Sequence, residues 1–123
     1  MDVVYYSRYY EFFEAARSAF LRHIQFPYKQ MEKEGIFLPV IESHCRHFRP
    51  ATYEDLLTVE THLEDEPKVK ITLSYKVFKN GEERPIAEGY TMHSFVNRDL
   101  KPVEAPEAFL ACLRAFAGQI IED

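Results

Sequence analysis

The hydrophobic pattern of the chain begins with a helical stripe. From about Tyr6 to His23, apolar side chains recur every three or four residues, which places them on one face of a helix. The stripe consists of Tyr9, Phe13, Ala16, Phe20 and Ile24. Pro27 ends the pattern, because the residue before a proline is displaced from helical angles. The pattern therefore predicts one long amphipathic helix near the start of the chain.

Shorter elements follow this helix. Residues 28–34 are compatible with one or two further helical turns, which Gly35 would close. The segment from Ile36 to Phe48 is apolar at first and polar later. It predicts a strand with a bulge or a sharp bend near Pro39 or Glu42.

Alternation with a period of two then predicts three more strands. The strands cover residues 57–63, about 69–77 and about 84–97. Asn80 and Gly81 lie between the last two strands and predict a hairpin with a type I′ turn. A final helix is expected to begin at Pro106 and Glu107. It would carry the helical period through Phe109, Leu113, Phe116 and Ile120.

The order of these elements predicts an α+β protein. One long helix, about four antiparallel strands and a terminal helix suit a sheet with its helices on one face. The chain has 123 residues, without repeats or linkers, which predicts one domain over residues 1–123.

Composition excludes several classes of protein. Hydrophobic residues make up 46% and charged residues 28%, the balance of a folded protein rather than a disordered one. No apolar run approaches the roughly 20 residues that a membrane span needs, and no signal-peptide pattern is present. The net charge of −5 argues against a nucleic-acid partner. Cys45 and Cys112 are far apart in sequence and are interpreted as reduced thiols of a cytoplasmic protein.

The segment His44, Cys45, Arg46, His47 contains residue types found in metal sites and in Cys–His nucleophile pairs. Alternation along a strand puts His44 and Arg46 on one face, and Cys45 and His47 on the other. That arrangement leaves at most two ligands per face, so no metal site is predicted. On the long helix, Glu14 and Arg17 are three residues apart and could form an ion pair.

Four stretches resemble one family of enzymes. They are V-V-Y-Y-S-R-Y-Y-E-F-F-E-A-A-R at 3–17, F-P-Y at 26–28, F-R-P-A-T-Y-E-D-L-L-T-V-E-T at 48–61 and A-E-G-Y-T-M-H at 87–93. They resemble the hotdog-fold acyl-CoA thioesterases, namely the 4-hydroxybenzoyl-CoA thioesterase group and the short acyl-CoA thioesterases associated with the Tol-Pal system. The resemblance implies a long central helix wrapped by a curved antiparallel sheet, with the first strand shortened or missing.

The resemblance also implies site residues. In the family pattern, D-x-x-G-[IV]-V precedes the helix, the Asp is the catalytic carboxylate, and a backbone N–H at the helix start binds the thioester oxygen. That N–H falls on Tyr6 of this sequence. Asp2 stands where the pattern has Gly, and the pattern's Asp would fall two places before Met1. Three explanations stay open: a natural chain that begins further upstream, a homologue that binds acyl-CoA without hydrolysis, or a replacement carboxylate such as Asp2.

The function implied by the resemblance is hydrolysis of a short-chain, medium-chain or aromatic acyl-CoA to free acid and CoA. Lys68 and Lys70, at the start of a strand, are implied partners of the CoA phosphates. No cofactor is expected beyond the CoA of the substrate, and the implied assembly is a homodimer or homotetramer. The alternative is a hotdog protein that binds acyl-CoA or an acyl-carrier protein without hydrolysing the thioester.

Overall fold

A computed structural model describes residues 3–116 and 121–122 of the chain. Within these residues, two helices come first, four strands follow, and a third helix and a short strand come last. The bounds are α1 Ser7–His23, α2 Tyr28–Lys33, β1 Val40–His47, β2 Leu57–Leu63, β3 Lys70–Lys79, β4 Ala87–Ser94, α3 Glu107–Ala115 and β5 Ile121–Glu122. The predicted α+β class is confirmed.

The long helix α1 confirms the prediction from the apolar stripe, since every residue of that stripe is buried. Its C-terminus closes with Gln25 in the left-handed region at φ 67°. There the N–H of Gln25 donates to the Arg22 carbonyl at 3.0 Å, and the N–H of Phe26 donates to the Leu21 carbonyl at 2.9 Å. This pair of bonds is a Schellman motif, after which Pro27 prevents any continuation of the helix.

The strands form an antiparallel sheet in the order β1-β4-β3-β2-β5. The register between β1 and β4 shifts between Val40 and Glu42, which confirms the predicted bulge. Strand β5 pairs with β2 through Ile121 opposite Thr61 and Glu122 opposite Glu60. This fifth strand was not predicted, because two residues are too few to show an alternating pattern.

The connection between β3 and β4 corrects one prediction. Gly81 has a positive φ of 86°, whereas Asn80 does not, so the turn is not of type I′. The N–H of Glu82 donates to the Lys79 carbonyl at 3.0 Å, which fits a type II turn with glycine at its third position. Residues 80–86 then form a longer loop, because Pro85 has no N–H with which to extend the ladder.

Helix α1 packs on one face of the sheet, and Gly89 on β4 permits their close approach. A Cβ at Gly89 would lie 2.1 Å from the His44 carbonyl oxygen and 2.9 Å from Cε2 of Phe13. Without that Cβ, the Phe13 ring reaches the sheet and stacks on Tyr75 with 4.4 Å between ring centroids. The strand residues buried on this face include Val59, Ile71, Leu73, Tyr75 and Val77.

A line of polar side chains crosses the core. The Tyr75 hydroxyl lies 2.7 Å from Oγ1 of Thr91, and that oxygen lies 2.9 Å from Nε2 of His93. On the other side of the ring, Nδ1 of His93 lies 3.2 Å from the Leu38 carbonyl oxygen. A carbonyl can only accept, so the neutral imidazole carries its proton on Nδ1 and accepts at Nε2. Donation therefore runs from Tyr75 to Thr91 to His93 to Leu38.

Arg17 reaches the same histidine from α1. Its Nη1 lies 3.4 Å from Nε2 of His93, and its Nε donates to the Tyr28 hydroxyl. Burial, together with the positive charge of Arg17, lowers the pKa of His93 to about 4. The ion pair between Glu14 and Arg17 that the sequence suggested is absent from the described residues. The Arg17 guanidinium turns toward the core instead and binds the Tyr28 hydroxyl.

The C-terminal helix α3 packs beside this core. Phe109 and Leu113 are buried as predicted, and the Phe109 ring lies 5.5 Å from the rings of both Phe26 and Phe95. The predicted contribution of Ile120 lies outside the described residues. No helix in the described ranges is long and apolar enough to cross a membrane.

Candidate active site

The start of α1 presents unpaired backbone N–H groups. Tyr6 is the N-cap residue, with φ −64° and ψ −25°, and its side chain makes no capping hydrogen bond. The N–H groups of Arg8 and Tyr9 donate to the Tyr5 and Tyr6 carbonyls at 3.0 and 3.1 Å. The N–H of Tyr6 has no acceptor among the described residues. Such groups, at the positive end of the helix dipole, can bind a developing oxyanion.

The segment before β2 fixes the position of this helix start. Val4 is buried and donates its N–H to the Ala51 carbonyl at 2.8 Å, and Val3 forms a β-bridge with Thr52. Asp55 holds the same turn, since its carboxylate accepts the N–H of Thr52 at 2.7 Å. That hydrogen bond lowers the pKa of Asp55.

His47, the last residue of β1, lies against the first turn of α1. Its ring centroid is 5.3 Å from the Tyr6 ring and 4.7 Å from the Tyr9 ring, and the Tyr9 contact is edge to face. His47 is an exposed residue, and the partial burial of its ring lowers the pKa of the imidazole. Its ring nitrogens form no hydrogen bond with another described residue. The imidazole is thus held by ring contacts and keeps both nitrogens available.

Cys45 precedes His47 by two residues and faces the same side of β1. The thiol is half-buried, and burial raises its pKa to about 11. A thiol with this pKa is protonated at neutral pH, which argues against the nucleophilic Cys45–His47 pair considered from the sequence. Burial also raises the pKa of Tyr9, with smaller contributions from Cys45 and Asp55.

The other face of β1 carries His44 and Arg46, as alternation predicted. They line an open depression of about 480 Å³ on the side of the sheet opposite α1. There the His44 ring stacks on Tyr90 with 5.6 Å between centroids, and Tyr90 donates to Glu42. Within the described ranges, no group of three or more metal-ligating side chains could hold a metal ion.

Lys68 and Lys70 lie at the far end of the sheet from His47. Both side chains are exposed, and neither takes part in an ion pair within the part of the chain that the structure describes. Lys70 is paired with Ser94 across β3 and β4, whereas His47 is paired with Ala87 at the other end of β4. Seven residues of strand separate those positions, or about 24 Å. One chain therefore does not bring the lysines to Tyr6. Asp2 lies outside the described residues, and its role stays a prediction.

The sequence profile of the Thioesterase-like superfamily matches residues 1–113 of this chain. The chain belongs to this superfamily. Among its relatives, the acyl-CoA thioester hydrolase YbgC of Escherichia coli is 24% identical over 110 residues, which are 89% of this chain and 81% of that protein.

Solved structures of two relatives share the fold. A hypothetical protein from Aquifex aeolicus has a TM-score of 0.83 at 33% identity, covering 91% of this chain and 86% of that one. The DHNA-CoA thioesterase of Staphylococcus aureus has a TM-score of 0.84 at 25% identity, covering 98% and 87%. The expected hotdog fold of this thioesterase-like chain is confirmed.

Two residues near the candidate site of this chain, His47 and Asp55, were not assigned a role from the sequence. His47 was considered only as part of a metal or Cys–His cluster, and Asp55 only as part of a connection. The signal for Asp55 was its spacing from Thr52, which is typical of a side chain that closes a turn. The signal for His47 was its place on the same strand face as Cys45, but the contact with α1 required the tertiary structure.

Proposed function

We propose that this chain is an acyl-CoA thioesterase that hydrolyses a short-chain, medium-chain or aromatic acyl-CoA to the free acid and CoA. The observation that carries the proposal is the free N–H of Tyr6 at the start of α1, in a member of the Thioesterase-like superfamily. A thioester carbonyl placed there would receive a hydrogen bond that strengthens as the oxygen becomes negative. A donor of this kind contributes more to the transition state than to the bound substrate.

In this mechanism the Tyr6 N–H orients and polarises the carbonyl, and water is the nucleophile. The CoA phosphates would be held by Lys68 and Lys70, whose exposed ammonium groups suit phosphate as point charges. The reaction needs no cofactor beyond the CoA that the substrate carries. Asp2 stays a candidate carboxylate for the same reaction.

We further propose that two copies of the chain assemble. The outer edge of β1 has no strand partner in the described sheet, and Val40 and Ile41 on this strand are each 48% exposed. An uncovered edge with apolar side chains favours pairing with the same edge of a second copy. In such a dimer, the distance from Lys68 of one copy to the Tyr6 N–H of the other copy would differ from the distance between these two residues within one chain. The free thiols Cys45 and Cys112 support a cytoplasmic location.

The test is an assay of the purified 123-residue chain against short-chain, medium-chain and aromatic acyl-CoAs, with release of the thiol as readout. Turnover of one of these esters is expected. If acyl-CoA binds by calorimetry with no thiol released, the chain is an acyl-CoA-binding protein instead. Neither binding nor turnover would reject the proposed function altogether.

A further inference from the structure

We propose that Arg17 of α1 and Tyr28 of α2 form a binding site for the carboxylate of a small organic acid. The inference goes beyond the proposed function, because it involves neither a thioester nor the Tyr6 N–H. Arg17 lies about three helical turns beyond Tyr6, or about 16 Å along α1. The carboxylate site is therefore separate from the start of the helix.

Arg17 is a half-buried residue whose side-chain partners are neutral. Its Nε donates to the Tyr28 hydroxyl, and its Nη1 lies 3.4 Å from Nε2 of His93. Burial raises the pKa of Tyr28, and burial with the charge of Arg17 lowers the pKa of His93 to about 4, so both groups are uncharged at neutral pH. Within the described ranges, no carboxylate lies within ion-pair distance of Arg17. Charges removed from water are normally paired, so this guanidinium is suited to an anion from outside the chain.

Glu14 does not take the place of such an anion. It precedes Arg17 by one helical turn, but it is exposed, and the two side chains form no ion pair. Burial is the main cause that raises the pKa of Tyr28, and the charge of Glu14 is the smallest contribution. The Glu14 carboxylate is therefore a solvated charge near the site and leaves the donors of Arg17 free.

Arg17 and Tyr28 together offer donors of the kind that bind a carboxylate. A guanidinium has five N–H groups in a planar fork, and the contacts with Tyr28 and His93 use only two of them. The Tyr28 oxygen accepts from Arg17, so its own O–H remains a donor, for which the described part of the chain supplies no acceptor. The guanidinium carbon lies 5.8 Å from the centroid of the Tyr28 ring, so the two sets of donors are adjacent. Adjacent N–H and O–H donors beside a fixed positive charge match the two oxygens of a carboxylate.

The surroundings of the two donors favour an organic acid over phosphate. The site contains one positive charge, which one carboxylate balances, whereas a phosphate group carries a charge of about −1.5 to −2 at pH 7. The Tyr28 ring and Leu38 are half-buried apolar groups, and the Leu38 carbonyl oxygen lies 3.2 Å from Nδ1 of His93. Arg17 and Tyr28 each keep part of their surface exposed to solvent. The hydrocarbon part of the acid would contact these apolar groups while its carboxylate binds the donors.

The first test is calorimetric titration of the full chain with three probes. Sodium benzoate carries the carboxylate, benzamide has the same shape without the charge, and inorganic phosphate is a different anion. We expect benzoate to bind at least about tenfold more tightly than benzamide, since hydrogen bonds to charged groups are the stronger ones. Phosphate should bind more weakly than benzoate.

The second test uses variants of the two donors. Arg17→Met keeps the length of the side chain without the charge, and should raise the Kd for benzoate by about tenfold or more. Tyr28→Phe keeps the ring without the O–H, and should raise it by about threefold or more. The matched control is Arg22→Met, at an exposed position of the same helix, which should leave the Kd within about twofold.

Thermal unfolding separates ligand binding from a structural role of Arg17. A ligand that binds the folded chain raises its Tm, so benzoate should raise the Tm of Arg22→Met and of the unaltered chain but not that of Arg17→Met. A purely structural arginine would lower the Tm equally with and without benzoate. If Arg17→Met does not fold, the comparison of Tyr28→Phe with the unaltered chain decides.

Three results would overturn the carboxylate site. They are no binding of benzoate to the unaltered chain, equal binding of benzamide or phosphate, and an unchanged Kd for benzoate in the folded variants of Arg17 and Tyr28. None of them bears on the thioesterase proposal, because no thioester is present in these titrations. A chain that hydrolyses no acyl-CoA would equally leave the carboxylate site standing.

Discussion

The Phe13 ring lies flat on the Tyr75 ring, with centroids 4.4 Å apart and an angle of 9° between the planes. This stack joins α1 to the middle of the sheet, and it depends on the missing side chain at Gly89. Any added carbon there would meet backbone of β1 and the Phe13 ring. We expect Gly89→Ala to lower the free energy of unfolding by about 3 kcal/mol or more, since overpacking typically costs ~1–3 kcal/mol and here backbone must move.

The control for this prediction is Gly81→Ala. Gly81 has open space around its Cβ position but a φ of 86°, so only backbone strain of about 1 kcal/mol is expected. Urea unfolding of both variants measures the difference. Equal losses at the two glycines would contradict the close packing of Phe13 on the sheet.

The oxyanion role of Tyr6 is tested by removing its N–H. The φ of −64° at Tyr6 already matches proline, so Tyr6→Pro deletes the donor with little change in that angle. We expect kcat to fall by about 10²–10³-fold, as is typical for the loss of one oxyanion donor. Tyr6→Phe keeps both the N–H and the ring contact with His47, and should retain most of the activity. Similar kcat values for folded Tyr6→Pro and Tyr6→Phe would exclude this N–H from catalysis.

Stability should depend on pH through His93. Its pKa is about 4 in the folded chain, against about 6.5 in an unfolded one. Above pH 6.5 neither state binds the proton, so the full stability is present. As pH falls from 6.5 towards 4 the unfolded state binds more protons, and stability decreases by up to about 3 kcal/mol. His93→Gln, which cannot titrate, should show a smaller loss between pH 7 and pH 4.5 by urea unfolding. The same loss in both proteins would assign the effect to other groups.

The phosphate assignment predicts effects on binding rather than on chemistry. Lys68→Ala and Lys70→Ala should each raise KM for an acyl-CoA by up to about fivefold, because an exposed charge pair contributes ~0.2–1 kcal/mol. Added salt should reduce that difference. Lys29→Ala, on the exposed side of α2, serves as the control. The assignment is wrong if KM is unchanged in both of the first two variants.

The thiol of Cys45 should be slow to react. With its pKa at about 11, only about one thousandth of the thiol is ionised at pH 8. In a Cys112→Ser variant, Cys45 is the remaining cysteine of the sequence, so alkylation by iodoacetamide reports on it alone. We expect slow labelling in buffer and rapid labelling in urea. Rapid labelling of the folded protein would contradict the burial of this thiol.

The elements predicted best were those with a long, unbroken period. The stripe of α1 and the alternation of β2 fall where the sequence placed them, and Leu57–Leu63 agrees at both ends. The type of turn at Asn80 and Gly81 was predicted wrongly. The prediction used this dipeptide alone and ignored Pro85, which cannot donate a hydrogen bond between β3 and β4. Strand β5 was not predicted, because its pairing with β2 depends on the tertiary structure and not on a local sequence pattern.

The candidate site was predictable only in part. A helix start with free N–H groups follows from the position of Tyr6, and the resemblance supplied the chemistry for it. The contact of His47 with Tyr9 could not be predicted, because it depends on the register that sets His47 opposite Ala87. That register is fixed by the bulge near Glu42 and by the packing of α1, which no single stretch of sequence encodes.

The line of donors from Tyr75 through Thr91 to His93 has one direction, because the Leu38 carbonyl at its end cannot donate. Each hydroxyl proton is therefore committed by its neighbour, and the groups behave as a single cooperative unit. Removing Thr91 would deprive both Tyr75 and His93 of a partner at once. A second substitution in the line would then cost less than it does alone. Double-mutant cycles between Tyr75 on β3 and His93 on β4 would therefore show strong coupling through the Thr91 hydroxyl.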